Sequence, residues 1–336
     1  GGMGVVFEAE QRSPHRRVAL KVMRRSHLVD DLHIRLFHRE AQTLARLRHP
    51  KIAAIYESGH TDDGLDFFAM ELVRGRTLNE WLETRPEPSS SKEIVERLRL
   101  FRSICEPVQY AHQRGVIHRD LKPANIMISD QASDPEAASS IGPTVKILDF
   151  GLARITDPEM QVATMMTEVG AIRGTLAYMS PEQTGSDLDA VDVRTDVYAL
   201  GMVLYEMLTG DRPYDLSNLT LVDAVRIICE EPPRPIQLGV GGPDRLDRDL
   251  ETIVGKALEK DPDRRYSTVS ALADDVDRYL SARPILARPP SASYRARKFA
   301  QRHRTGVAAA AVVLIAVVAG IVGVASGFVR ARAAEA

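Results

Sequence analysis

Residues 116–128 read VIHRDLKPANIMI, and no other stretch limits the possible folds as much. His118, Arg119, Asp120, Lys122 and Asn125 fall inside eight positions and are interleaved with Leu121, Pro123, Ala124 and Ile126. Such a segment cannot be a fully solvated face, because its apolar members must be covered. Its polar members then sit partly out of water, where each needs a partner or a task. A carboxylate, an ammonium and an amide this close together, between two apolar runs, point to chemistry.

At 336 residues the chain is long enough for about two domains with sizeable cores. From Ser291 to Arg332 there are seven Lys/Arg and no Asp/Glu, so a mildly acidic body carries a basic tail. An acidic body gives no reason to expect nucleic acid as a partner. Cys105 and Cys229 lie far apart in apolar surroundings and supply neither metal-site spacing nor a disulfide framework. They read as buried small hydrophobes in a reducing compartment. The chain opens at Gly1 within a glycine-rich turn, with no initial Met and no signal peptide, and reads as a fragment.

Gly306–Val329 is 24 residues without a charge, and about 20 apolar residues cross a bilayer as a helix. Arg302 and Arg304 before it and Arg330 and Arg332 after it close both ends. With Arg295, Arg297 and Lys298 added, the N-terminal side holds more positive charge, which places the body in the cytoplasm and the protein in the cell membrane as a single-pass chain. Gly323 and Gly327 form a four-residue pair that would let helices of a homodimer approach. The segment RPILARPPSASYRARKF is a basic, Pro-rich linker between body and membrane, able to lie against anionic headgroups.

In the body, residues 5–10 and 17–23 alternate or run apolar like strands. Residues 31–48 carry Leu32, Leu36, Ala41, Leu44 and Leu47 at helical spacing, and KIAAIYESG and LDFFAMELV add two strand-like runs. This small sheet with one helix ends near Val73. From Thr77 onward helices dominate, at 92–113, 195–209, in ETIVGKALEK and in VSALADDVDRYL. SDQASDPEAASSIGP (129–143) reads as a polar insertion between two strands, and RPEPSSSK (85–92) as a second loop. No internal repeat is present.

Three features suit nucleotide chemistry. Gly1, Gly2 and Gly4 precede an apolar strand, where backbone amides can approach phosphate closely. Lys21 lies in a strand between Leu20 and Val22; a buried lysine needs a partner, and Glu40 is a candidate. Asp149, in LDFGLAR, is flanked by apolar residues and calls for a counter-charge, for which a divalent metal is the obvious choice. Asn125 offers a neutral amide oxygen to the same ion, and Mg²⁺ needs only a few protein oxygens beside those of phosphate.

Taken together these motifs resemble the protein kinases, in which the same parts recur in the same order. VALK is similar to the strand-lysine motif, HRDLKPAN to the catalytic loop, DFG to the metal motif and SPE (180–182) to the end of the activation segment. DVYALGMVLYEMLTGDRPY resembles the buried helix that anchors the large lobe, and DPDRRY supplies Arg265 as the partner of Glu182. The resemblance covers Gly1 to about Ala282. It implies an α+β, bilobal fold: a small β-rich lobe and a larger helical lobe at 1–282. A linker at 283–305, a membrane helix at 306–329 and the start of an extracytoplasmic region at 330–336 follow.

The implied activity is transfer of the γ-phosphate of Mg·ATP to Ser/Thr hydroxyls of proteins. By the resemblance Asp120 is the catalytic aspartate, Lys122 neutralises the γ-phosphate, Asn125 and Asp149 hold Mg²⁺, and Lys21, fixed by Glu40, grips the α- and β-phosphates. The adenine would sit against Glu71 and Val73, guarded by Met70 and covered by Val6 and Ala19. His118 is expected to pack and hydrogen-bond, since the adjacent Asp takes the role of base. Lys122 and GTLAYMSPE are similar to the serine/threonine branch, with Thr175 expected to contact Asp120 and Lys122.

Arg119 would pair with a phosphate on Thr164 or Thr167 of the activation segment and order it. Kinase body, basic linker and one spanning helix together resemble the bacterial receptor-like kinases. Of the rival readings, a scaffold without transfer leaves a complete set of transfer residues unused, and a purely structural anchor does not explain Asp120, Asn125 and Asp149 together.

Overall fold

The computed structural model describes residues 4–23, 44, 47–61, 63–85, 87–88, 90–129, 144–150, 176–185, 190–217, 219–236, 248–289 and 291–303, with 305–306, 309, 312–313, 315–320 and 323 beyond them. They fall into two compact units, 1–276 and 277–336.

The first unit begins with an antiparallel sheet of β1 (Gly4–Arg12), β2 (His15–Met23), β3 (Ile55–His60) and β4 (Asp66–Glu71), in the order β1-β2-β4-β3. The two leading strands lie where the alternation predicts them. The pairing Val6↔Lys21, Ala19↔Met70 and Lys21↔Phe68 puts these side chains on one face, because residues directly opposite in an antiparallel pair point the same way. Gly4 is required by close approach: a Cβ there would lie 2.4 Å from the Val22 carbonyl oxygen. Of the helix expected over 31–48, only Leu44, Leu47 and Arg48 are among the described residues; both leucines are buried.

A three-stranded sheet, β5 (Arg76–Thr77), β6 (Ile126–Ser129) and β7 (Thr144–Ile147), underlies the opening segment. β6 and β7 flank the expected insertion, whose interior lies outside the described residues. Between β5 and β6 run α1 (Leu78–Glu83) and α2 (Ser91–His112). The loop expected over 85–92 is shorter than the composition suggests. The Ser90 hydroxyl accepts the Glu93 N–H, so Ser91 and Lys92 already belong to the helix.

The centre of the helical part is α3 (Val193–Thr209), in which every residue from Thr195 to Thr209 is buried. A helix buried on every side and mostly apolar belongs inside a domain, and its buried acids, Asp196 and Glu206, need partners there. Asp192 caps its start by accepting from Arg194 N–H at 2.7 Å, and Gly210 closes it with φ +76°. Gly201 lets the helix that ends at Ala257 come close, since a Cβ would meet the Ala257 Cβ at 2.9 Å. α4 (Leu221–Glu230), α5 (Arg248–Ala257) and α6 (Val269–Leu280) complete the described helices of this part, and α2 and α5 pack against α3. Cys105 is buried as expected, whereas Cys229 is half-buried and its Sγ lies 3.2 Å from Thr184 Oγ1.

The second unit contains a helix where composition suggests only a linker: α7 (Ala292–Arg302), capped by Ser291, whose hydroxyl accepts the Tyr294 N–H. Among the described residues no helix is long and apolar enough to cross a membrane, and the run 306–329 is described only in part.

Candidate active site

The segment 116–125 is an irregular connection between α2 and β6, held from beneath by one side chain. Asp196, on the first turn of α3, is fully buried. Its carboxylate accepts the His118 N–H at 2.8 Å, the Arg119 N–H at 2.9 Å and His112 Nε2 at 2.6 Å. Burial alone would push this carboxyl up. The His112 hydrogen bond, the nearby His112 and His118 rings and the His118 amide outweigh it and hold the group below the ordinary carboxylate range. The same two amide bonds fix Arg119 at φ +66°, a left-handed conformation that costs a non-glycine residue roughly 1–2 kcal/mol.

Above this anchor the expected catalytic side chains converge. Lys122 Nζ lies 3.0 and 2.9 Å from the two Asp120 carboxylate oxygens. Asn125 Nδ2 donates to the Asp120 carbonyl at 2.7 Å and to Asp120 Oδ2 at 3.2 Å. The Asn125 carbonyl accepts the Leu148 N–H at 2.8 Å, which ties the loop to the residue before Asp149. His118 is wholly buried: Nδ1 accepts the Asp120 N–H at 3.3 Å, so Nε2 carries the proton donated to the Leu148 carbonyl at 2.9 Å. Its ring also packs against Phe150, with centroids 4.7 Å apart. This is the packing and hydrogen-bonding role expected of it.

Lys21, 7% exposed, is paired with Asp149 Oδ2 at 2.7 Å. The sequence reading paired it with Glu40, which lies outside the described residues, as do Gly1, Gly2, Thr164, Thr167 and Thr175. Asp149 itself sits at φ +56°. Met70 is buried, and a cavity of about 10 Å³ between it and Leu44, Leu47, Ile52 and Phe150 has room for at most one water. The Glu71 side chain bonds Lys146 Nζ and accepts the Ala54 N–H, while its own N–H donates to the Ala54 carbonyl at 2.8 Å. Val73 follows, half-buried; Val6 and Ala19 lie on the sheet face that carries Lys21.

The donor set suits Mg²⁺. Among the described residues there is no cluster of three or more His, Cys, Asp or Glu. One carboxylate, Asp149, and one amide, Asn125, whose backbone carbonyl is tied to the residue before Asp149, match an ion that takes few protein oxygens and completes its shell with phosphate and water.

A second ion pair braces the site. Arg265 clasps Glu182 through both guanidinium nitrogens at 2.7 and 2.8 Å and also donates to the Glu259 and Lys260 carbonyls. Thr195 Oγ1 adds a bond to Glu182 at 2.7 Å. Burial would raise the Glu182 carboxyl, but the Arg265 bond and charge bring it below its ordinary value. The pairing expected from SPE and DPDRRY is therefore present. Gln183 Nε2 donates to the Arg119 carbonyl at 2.6 Å, so the segment at 180–184 also props the catalytic loop.

Asp196, His112 and Gln183 are the supporting residues that sequence reasoning missed. A signal for Asp196 existed: an acid on the first turn of a helix with a broad apolar face is as costly to bury as Asp149.

Residues 1–276 match the protein kinase domain. The chain belongs to the protein kinase family. It is 38% identical over 288 residues to the serine/threonine-protein kinase PknB of Mycobacterium leprae, covering 84% of this chain and 42% of that protein. It is also 38% identical over 273 residues to the serine/threonine-protein kinase pkn3 of Myxococcus xanthus, covering 81% of this chain and 46% of that protein. The chain thus spans less than half the length of these curated relatives. Among solved structures, the PknI kinase domain of Mycobacterium tuberculosis superposes with a TM-score of 0.57 at 27% identity, over 82% of this chain and 91% of that one. The fold is accordingly the bilobal kinase fold, with a β-rich N-lobe and a helical C-lobe. Members of the family use ATP and Mg²⁺.

Proposed function

We propose that the chain is a membrane-tethered serine/threonine protein kinase that transfers the γ-phosphate of ATP to protein hydroxyls. The observation that carries this is the Asp120–Lys122–Asn125 cluster, set over buried Asp196 and linked through Leu148 to the Lys21–Asp149 pair. Asp120 accepts the proton of the substrate hydroxyl or orients that hydroxyl. Lys122, already at its carboxylate, neutralises charge on the phosphoryl group in transit. Lys21 holds the α- and β-phosphates, and the face shared by Val6, Ala19 and Met70 takes the adenine. Asn125 and Asp149 would hold Mg²⁺, which neutralises the phosphate oxygens when bound. Positioning and charge neutralisation supply most of the rate in such a transfer.

Supplying Mg·ATP labelled at the γ-position to the full chain, with a basic protein as acceptor, tests this directly. Label on Ser and Thr of the acceptor or of the chain itself is the expected result. Bound ATP with no label on any hydroxyl would instead identify a scaffold.

Regulation is proposed to run through the activation segment. Phosphate on Thr164 or Thr167 would pair with Arg119, with Thr175 in a structural role toward Asp120 and Lys122. Mass spectrometry of an active preparation is expected to find phosphate on Thr164, Thr167 or both, and Thr164→Ala with Thr167→Ala to lower activity. A fully active preparation without phosphate there would remove the idea.

The tether is proposed from 306–329, spanning the cell membrane once with the kinase on the cytoplasmic side. Val312, Val313, Ile315, Val317 and Val318 are all more than half exposed, an apolar surface that water does not favour and lipid does. Gly323 and Gly327 would serve a homodimer contact within the bilayer.

A further inference from the structure

We infer that α7 lies along the surface of an anionic bilayer, resting on a stripe formed by Arg295, Phe299 and Arg302 and capped by His303. The inference rests on the proposed membrane insertion of 306–329.

The helix has two distinct faces. One is fastened within its own unit: Tyr294 Oη accepts the Ile285 N–H at 3.1 Å, and Lys298, 4% exposed, holds its ammonium 5.5 Å from the Tyr279 ring and 5.9 Å from the Tyr294 ring. These contacts fix the rotation of α7 about its axis. The adjoining face carries Arg295, Phe299 and Arg302, whose spacing of four and then three places them in a single helical stripe, and His303 caps its end. All four are exposed, Phe299 at 55%, and its ring packs against His303 with centroids 4.6 Å apart.

The chemistry of the stripe selects its partner. It combines two guanidinium groups with an exposed aromatic ring at its middle. From Ser291 to Arg332 the chain supplies no carboxylate to neutralise such cations. An anionic surface with an apolar layer just beneath it satisfies both the charges and the ring, and aromatic residues concentrate at that boundary. Position agrees. Phe299 precedes Gly306 by seven residues, about 10 Å along a helix, so an inserted run brings the stripe within roughly a Debye length of the headgroups. An acidic protein would match the charges but gives no reason for the stripe to end where the uncharged run begins.

The test uses the full chain in nanodiscs of phosphatidylcholine alone and of a phosphatidylcholine–phosphatidylglycerol mixture. Phe299→Trp adds a reporter indole; the one native tryptophan, Trp81, is 6% exposed and provides a constant background. The introduced indole is expected to shift to the blue and to be quenched by brominated lipid in the anionic discs, and to remain water-exposed in the others. Arg295→Gln with Arg302→Gln is expected to reduce the surface-bound population by about fivefold per cation removed. Raised salt should act in the same direction.

A chain that enters both kinds of disc, with indole emission indifferent to lipid charge, overturns this inference and leaves the tether standing. Indole protection that follows the number of chains per disc rather than lipid charge assigns the stripe to a second copy, and also overturns it. A chain that enters neither disc removes the tether and this inference with it.

Discussion

Asp120→Asn is expected to lower kcat for phosphoryl transfer by about 10²- to 10⁴-fold, the range typical for loss of a positioned general base, while Mg·ATP binding persists. The substitution conserves size. An amide oxygen still accepts from Lys122 Nζ, which now lies 3.0 and 2.9 Å from the two carboxylate oxygens. What disappears is a group able to take a proton from the substrate hydroxyl, together with the negative charge that draws Lys122 into place. Lys21 and Asp149, paired with each other at 2.7 Å, are not touched, so nucleotide affinity should hold. Single-turnover transfer and equilibrium nucleotide binding, measured on the same preparation, separate the two quantities. A fall of less than about tenfold in the single-turnover rate would place the base elsewhere and reduce Asp120 to a structural partner of Lys122 and Asn125.

Much of the site was open to sequence reasoning because its chemistry is local. Asp120, Lys122 and Asn125 lie within six positions, and their mutual bonds are those of a short loop. The face shared by Val6, Ala19, Lys21 and Met70 follows from alternation once the strands are recognised, but the register that aligns them is set by long-range pairing and emerges only in three dimensions. Lys21 shows the limit clearly. The sequence offers Glu40 as its counter-charge, which lies outside the described residues, whereas the pairing seen, with Asp149, joins residues 128 positions apart.

Helices were read well where their burial is aliphatic and periodic, as in α3 and α6. α7 escaped notice because one of its two anchors is a lysine lodged near tyrosine rings, which no hydrophobic period registers. α1, six residues long, offers too few turns for a period, and its start is marked by a capping box between Thr77 and Glu80.

Asp196 is the residue on which fold and chemistry depend together, and its removal should be felt in both. Asp196→Ala would leave the His118 and Arg119 amides without an acceptor and His112 without its partner, all in a fully buried place. Breaking a buried charged pair in this way costs about 3–5 kcal/mol. Asp196→Asn is the sharper experiment. Both native oxygens accept from backbone N–H groups, so an amide must turn its own NH₂ toward one of them and lose that bond. With either Arg119 or His118 released, the strained φ of +66° loses part of its support and the Asp120 carboxylate its fixed position. A drop in kcat is therefore expected at temperatures well below the lowered melting transition, where a merely structural residue would leave kcat alone. Acid should act as the mutation does, at low pH only. Because the folded carboxyl is held below its ordinary value, its contribution is complete above the unfolded pKa of about 3.9 and is lost as pH falls through the lower folded value. Asp196→Asn with unchanged melting and unchanged kcat would mean that the loop is held by its other contacts, Gln183 to the Arg119 carbonyl foremost among them.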